Sequence, residues 1–233
     1  MSTASRGASV VAIMAKAPRA GEVKTRLCPP LTPGEAAEIY RAFLLDKIEQ
    51  VRSLDGARPA IAYAPAAARV FFETVAPGFT LIPQRGRDLG ARLVAAFEEL
   101  LGGGAPGALL IDSDTPTLPR ELLETALRLV SGADTDVVLG PSEDGGYYLI
   151  GLRAPRPELF EDMAWSTPAV LPETLRRAQA LGLRVVSLPP WFDVDTGGDI
   201  ERLEAALAAS RGPEPQHTRR FFAGRGTRTG AAS

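Results

Sequence analysis

Three apolar residues, Leu109-Leu110-Ile111, run directly into Asp112-Ser113-Asp114, and Pro116 follows. No other stretch of the chain restricts its fold so tightly. A short apolar run closed by turn residues reads as a buried strand of an α/β sheet. Its carboxyl end would present Asp112 and Asp114 at the edge where open α/β sheets bind ligands. Two Asp at i and i+2 face the same way as long as the chain stays extended. Hard oxygen donors aimed at one spot suit Mg²⁺ or Mn²⁺ carrying a diphosphate. A lone Asp there would as readily cap the helix that starts near Pro119, so the other motifs must decide.

The first of them lies near the start of the chain. Val10 to Met14 is apolar throughout, as parallel strands buried on both faces are. A loop follows at once, Lys16-Ala17-Pro18-Arg19-Ala20-Gly21-Glu22-Val23-Lys24-Thr25-Arg26-Leu27. It lacks the Gly-Lys-Ser/Thr order of a Walker loop. It still has what a polyphosphate grip needs: Lys16, Lys24 and Arg26 to neutralise oxygens, and Gly21 to let backbone N–H groups approach. Thr32-Pro33-Gly34-Glu35 is a capping box with proline at N1, and it opens a helix running to about Ser53.

Strands are expected over Pro59–Tyr63 and Phe79–Ile82, with a short helix between them. Gln84 to Leu93 leads into the next helix, with Asp88 as its N-cap. Gln84 is a candidate for reading a base edge, and Asp88 stands with it among the nucleotide-side residues. A helix from Pro119 to Val130 and a strand from Asp136 follow. Glu143-Asp144-Gly145-Gly146-Tyr147 then forms a turn with more glycine than a hairpin requires. This reads as one wall of an acceptor pocket, with Asp144 as the candidate acceptor contact or base. Ser166-Thr167-Pro168 is expected to cap the helix ending at Ala180. Trp165, just before it, is either core or a lid over the acceptor. Asp193 and Asp195 form a second alternating pair before Thr196-Gly197-Gly198-Asp199, whose spacing is that of another capping box. Capping uses Thr196 and Asp199 and leaves Asp193 and Asp195 free for a metal.

At 233 residues the chain suits one sizeable α/β domain, expected over 1–210. A net charge of −2 gives no whole-protein case for nucleic acid or an anionic membrane, and no apolar run approaches a membrane span. The apolar stretch after the first residues is too short for a signal peptide and reads as a strand. With Cys28 the only cysteine, these features point to the cytoplasm. Residues 211–233 carry five Arg against one Glu, with scattered Gly, Pro and Ser, and read as a basic, disordered tail. The only histidine, His217, lies in this tail. Proton transfer in the body therefore falls to Asp, Glu, Lys or water.

The order of these motifs resembles the DUF2064 family. Its members are usually called glycosyltransferases of the nucleotide-diphospho-sugar transferase superfamily, and some are associated with arsenosugar biosynthesis. The resemblance runs from about Val10 to Leu207. It implies a three-layer α/β/α, GT-A-like fold with a mixed, mainly parallel sheet. Lys16, Gly21, Lys24 and Arg26 match its phosphate loop, Asp114 its metal-binding Asp, Asp195 the late acid completing the metal site, and Gly145 and Gly146 its acceptor loop. The family more often carries Gly where Asp112 stands, so Asp114 ranks before Asp112 as a ligand. The Lys24-Thr25-Arg26-Leu27 run is also similar to that of phospholactate guanylyltransferases.

Three functions are therefore expected, in order. The first is metal-dependent glycosyl transfer from a nucleotide-sugar donor to a small-molecule acceptor. The second is nucleotidyl transfer from an NTP to a phosphorylated small molecule. The third is a non-catalytic nucleotide-binding module, which would have no use for both Asp114 and Asp195. In the enzyme readings Lys24, Asp114 and Asp144 carry the chemistry.

Overall fold

The computed structural model describes residues 7–210 and 214–229. Seven strands form one sheet: β1 (Ser9–Lys16), β2 (Ala57–Ala64), β3 (Thr80–Pro83), β4 (Ala108–Ile111), β5 (Val137–Pro141), β6 (Tyr147–Leu152) and β7 (Val185–Ser187). Their order is β3-β2-β1-β4-β6-β5-β7. β6 runs antiparallel to β4 and β5, and every other pairing is parallel. The helices are α1 (Pro33–Arg52), α2 (Arg69–Val75), α3 (Leu89–Gly102), α4 (Arg120–Ser131), α5 (Val170–Ala180), α6 (Gly197–Ala209) and α7 (Gln216–Thr229).

The continuous apolar strands are explained by two covered faces. On β1, Val11, Ile13 and Ala15 pack with Leu44, Ile48 and Val51 of α1, Phe72 of α2 and Leu123 and Leu127 of α4. Val10 and Ala12 point the other way, toward Leu93, Phe97 and Leu100 of α3 and Ala178 of α5. β4 divides likewise, Leu109 and Ile111 on one face and Ala108 and Leu110 on the other. Period-two alternation of side chains thus produces three layers, α/β/α, from sequence that does not alternate in polarity.

Helix starts follow the capping chemistry in three cases. Thr32 and Glu35 form the capping box of α1. The Asp88 carboxylate accepts the Ala91 N–H at 2.8 Å and caps α3. The Asp199 carboxylate accepts from the Thr196 N–H at 2.7 Å and the Asp195 N–H at 3.0 Å before α6. The Ser166-Thr167-Pro168 expectation needs correction: α5 starts at Val170 with no side-chain cap. The Thr167 hydroxyl donates instead to the Ala164 carbonyl at 2.7 Å. Pro168 lies against Gly145, so this triplet closes a loop over the neighbouring turn.

The tail expectation needs a larger correction. Residues 216–229 form a helix laid along α1, while 211–213 and 230–233 lie outside the described residues. Asp46 of α1 supplies the helix start from a distance. Its carboxylate accepts the His217 N–H and the Thr218 N–H, each at 2.8 Å, and the Thr218 hydroxyl at 2.6 Å. Glu49 meets the Gln216 amide at 2.7 Å and His217 Nε2 at 2.9 Å. Phe221 and Phe222 pack onto a cluster containing Leu27, Ile39 and Phe43. Polar composition concealed the helix because its partners lie more than 150 residues away. We expect Asp46→Ala to cost about 2–3 kcal/mol, since it strands three donors of one carboxylate. Calorimetry should register this as a drop in Tm of about 5–10 °C; an unchanged Tm would mean that α7 holds without its cap.

Candidate active site

The sheet order reverses between β1 and β4: one leads outward to β2 and β3, the other to β6 and β5. Ligands of open α/β sheets sit at such a switch point, beyond the carboxyl ends of the strands. A cleft of about 500 Å³ opens there. The loop after β1 and the loop after β4 form its walls, and Gln84, Leu89 and Arg92 close a third side.

Lys24 lies at its centre. Its ammonium stands 3.0 Å from Asp114 Oδ2 and 2.6 Å from Asp195 Oδ1, and its side chain is only 6% exposed. Burial on its own would lower the Lys24 pKa, but Asp114 and Asp195 outweigh it and hold the ammonium well above its ordinary value. Lys24 reaches this position through a left-handed backbone, φ 48°, which a non-glycine residue adopts at a cost. Arg26 pairs with the other oxygen of Asp195.

Asp195 is delivered by a long extended return. The Trp191 N–H donates to the Pro141 carbonyl at 3.0 Å, and the Val194 N–H to the Asp114 carbonyl at 3.0 Å. The second bond ties the two acid-bearing loops directly together. The capping of α6 then fixes the Asp195 backbone. Gly197, where a Cβ would stand 2.8 Å from the Pro29 carbonyl oxygen, lets α6 start against the end of the basic loop.

The two members of the first acid pair do not act alike. The chain bends after Ile111, so Asp112 and Asp114 turn to different partners. Asp112 accepts the Thr115 hydroxyl at 2.6 Å. Lys47 of α1 donates to the Thr115 carbonyl at 2.9 Å and to the Thr115 hydroxyl oxygen at 3.2 Å. Burial pushes the Asp112 carboxyl up and the Lys47 ammonium down, each opposed in part by the other's charge. Ser113, between the acids, is within 2.9 Å of the Tyr40 hydroxyl and donates to the Met14 carbonyl at 3.2 Å. Burial first, then the charges of Asp195 and Asp144, raise the Asp193 carboxyl to about 6.

The cleft thus brings Lys16, Lys24, Arg26, Gln84, Asp112, Asp114 and Asp195 to one place. Gly21 sits in the same loop with φ 79°, a backbone that only glycine adopts freely. Gln84 keeps less freedom than base reading would use: its amide donates to the Ala15 and Ala62 carbonyls at 3.2 and 2.8 Å. Only its oxygen remains for a base. Asp88 does not line the cleft: it stands just before α3, and its carboxylate is spent on capping that helix.

The acceptor-side residues do not line this cleft. Glu143 is held by Arg202 in a bidentate pair at 2.5 and 2.8 Å. Asp144 accepts the Gly146 N–H at 2.9 Å and the Ser142 hydroxyl, which shapes the turn. The room beside Gly145 is taken by Pro168, with no space left there for a ligand, and its φ of 92° meets the turn's own need for glycine. Tyr147 and Trp165 pack against the α3 and α5 side of the core, with the Trp165 ring over Gly90. Trp165 is therefore a core-edge residue in this conformation. Tyr40, Lys47, Ser113 and Thr115 were missed by sequence reasoning. Lys47 left a signal: it falls on the apolar stripe Phe43-Lys47-Val51 of α1.

A divalent cation fits the donor set. Asp114 and Asp195 offer hard carboxylate oxygens on either side of one point, and Asp114 Oδ1 is buried without a hydrogen-bond partner. Among the described residues no three acids of the cleft come within one ion's reach. The trio that does is Asp46, Glu49 and His217, which docks α7. Phosphate oxygens and water would have to complete the shell in the cleft, as they usually do for Mg²⁺.

The mainly parallel seven-stranded sheet is that of the nucleotide-diphospho-sugar transferase class of α/β fold, as its likeness to a solved structure shows. A structure from Desulfovibrio desulfuricans G20, named a candidate nucleotide-diphospho-sugar transferase, is 31% identical with a TM-score of 0.87, covering 95% of this chain and 96% of that one. The DUF2064 model, described as an uncharacterized protein conserved in bacteria, matches residues 47–167, a little over half of the sequence. The chain belongs to the DUF2064 family. More distant likenesses share the fold alone. CMP:2-keto-3-deoxy-manno-octonic acid synthetase, solved with CTP, is 15% identical with a TM-score of 0.57 over 87% of this chain and 99% of that one. A Methanothermobacter nucleotidyl transferase is 16% identical with a TM-score of 0.56 over 88% of this chain and all of that one. No curated protein matches the sequence.

Proposed function

We propose that the protein is a metal-dependent transferase that moves a glycosyl group from a nucleotide-diphospho-sugar to a small-molecule acceptor. One observation carries the reading: Lys24, Asp114 and Asp195, drawn from three distant segments, meet at one point of the switch-point cleft. Folding alone does not require such a meeting, because a cation and two acids are costly to desolvate. The name given to the Desulfovibrio protein supports the same reading.

In this reading Asp114 and Asp195 hold Mg²⁺ or Mn²⁺, which when bound supplies Lewis-acid stabilisation of the diphosphate leaving group. Lys24 and Arg26 neutralise the charge that develops on the departing phosphate oxygens. Lys16 and Arg92 border the same cleft and extend its positive rim. The Asp112–Thr115–Lys47 chain keeps the Asp114 loop in place, so the donors need not reorganise during transfer. Asp144 stays outside this reading of the cleft, its carboxylate engaged by the Ser142 hydroxyl and the Gly146 N–H.

Nucleotidyl transfer from an NTP is the second reading. The basic loop favours it, because Lys24 and Arg26 suit pyrophosphate as well as a nucleoside diphosphate. Incubation with Mg²⁺, mixed NTPs and mixed nucleotide sugars separates the two. Release of nucleoside diphosphate is the expected result, release of pyrophosphate would establish the second reading, and tight binding without turnover would leave a binding module. Lys24→Met should weaken donor binding by about 1.5–3 kcal/mol, the scale of a hydrogen bond to a charged group. Unchanged affinity in a calorimetric titration would remove Lys24 from the donor site.

A further inference from the structure

We propose that Lys24 acts as an internal counter-ion that locks the carboxylate pair, so that the cleft takes up its divalent cation only together with a nucleotide diphosphate. The proposal rests on the metal-dependent reading above and adds the order in which the site is filled.

The Lys24 ammonium lies between Asp114 Oδ2 and Asp195 Oδ1, bonded to both. This is the point at which a shared cation would have to sit. Arg26 holds the remaining oxygen of Asp195. Two carboxylates and two cations therefore form a set that is already neutral. Adding a bare divalent cation would place its charge against a buried ammonium a few ångströms away, which a poorly screened site penalises heavily. It would also strip Lys24 of both partners while leaving the side chain desolvated.

A nucleotide diphosphate removes both penalties. Each phosphate brings a negative charge, so cation and diphosphate enter together without unbalancing the set. Lys24 exchanges carboxylate oxygens for phosphate oxygens, both charge-assisted acceptors. Lys24 holds a left-handed backbone at the start of the 3-10 turn Thr25–Leu27, which also carries Arg26. Asp114 Oδ1, buried and without a hydrogen-bond partner, offers an oxygen to the incoming ion that the lysine does not use.

The test is Mn²⁺ binding followed by electron paramagnetic resonance, with full-length protein and no acceptor. Wild type should leave Mn²⁺ in its free form at concentrations where Lys24→Met and Lys24→Gln bind it. The expected gain in affinity for Mn²⁺ alone is roughly tenfold or more. With a nucleoside diphosphate added, wild type should take up the ion and the advantage of the variants should vanish or reverse. Equal uptake of Mn²⁺ alone by wild type and variants would overturn the lock. So would tight uptake by wild type without nucleotide, a result that holds even if both variants fail to fold. If no protein, wild type included, retains Mn²⁺ with any nucleotide, the metal-dependent transferase reading itself falls and the lock with it.

Discussion

Asp114→Asn should lower metal-dependent turnover by roughly a thousandfold, the scale of several kcal/mol of lost charge stabilisation. The amide keeps the shape of the side chain but not its charge. It loses one of the two partners of Lys24 and, in the proposed reading, the hard ligand for the cation. The fold should survive, because the residue is joined to the rest of the site by its backbone: the Asp114 carbonyl receives the Val194 N–H whatever the side chain. Release of nucleoside diphosphate from a nucleotide sugar measures the first effect and circular dichroism the second. Near-wild-type turnover would take Asp114 out of the metal site. A collapsed fold would show that its carboxylate is structural.

Lys47→Ala should be the most destabilising single change in the site, at about 3–5 kcal/mol. Lys47 is 1% exposed and sits beneath the loop that carries both acids. It donates to Gln50 Oε1 at 3.1 Å as well as to both oxygens of Thr115. Removing it takes the donor from Gln50 Oε1, leaves the Thr115 carbonyl with only the Leu118 N–H and the Thr115 hydroxyl with only Asp112, strands Asp112 without its counter-charge, and opens a cavity between α1 and the loop after β4. Denaturant unfolding should show the loss as a lower midpoint at unchanged slope. Lys47→Met, which fills the cavity but restores no donor, should recover part of the stability. Full recovery would mean that packing, not the ammonium, holds the loop. Because Asp114 is carried on the same loop, donor affinity should fall in both variants.

Much of this fold was legible because its signals are local. The capping boxes at Thr32 and Thr196 and the cap at Asp88 depend on residues three apart, and the chain placed all three as expected. The apolar runs Val10–Met14 and Leu109–Ile111 became the two strands flanking the switch point. Short-range chemistry misled at α5, where Ser166-Thr167-Pro168 has the composition of a cap but serves a loop. It misled again at α7, whose cap is not in its own sequence but on α1. The glycines of the Glu143–Tyr147 turn have the composition of a pocket wall, but Pro168 fills the space beside Gly145.

The sequence by itself determined the strands, most helix starts, and which residue types could handle a diphosphate. Each of those follows from neighbours along the chain or from the charge of one side chain. Tertiary structure alone decided that Asp114 and Asp195 share Lys24, that Asp112 turns to Thr115 and Lys47 instead, and that a basic tail segment becomes a docked helix. The physical reason is the same in each case. A buried charge is tolerated only where partners meet it, and apart from Thr115, three residues from Asp112, those partners stand roughly 70 to 170 residues away along the chain.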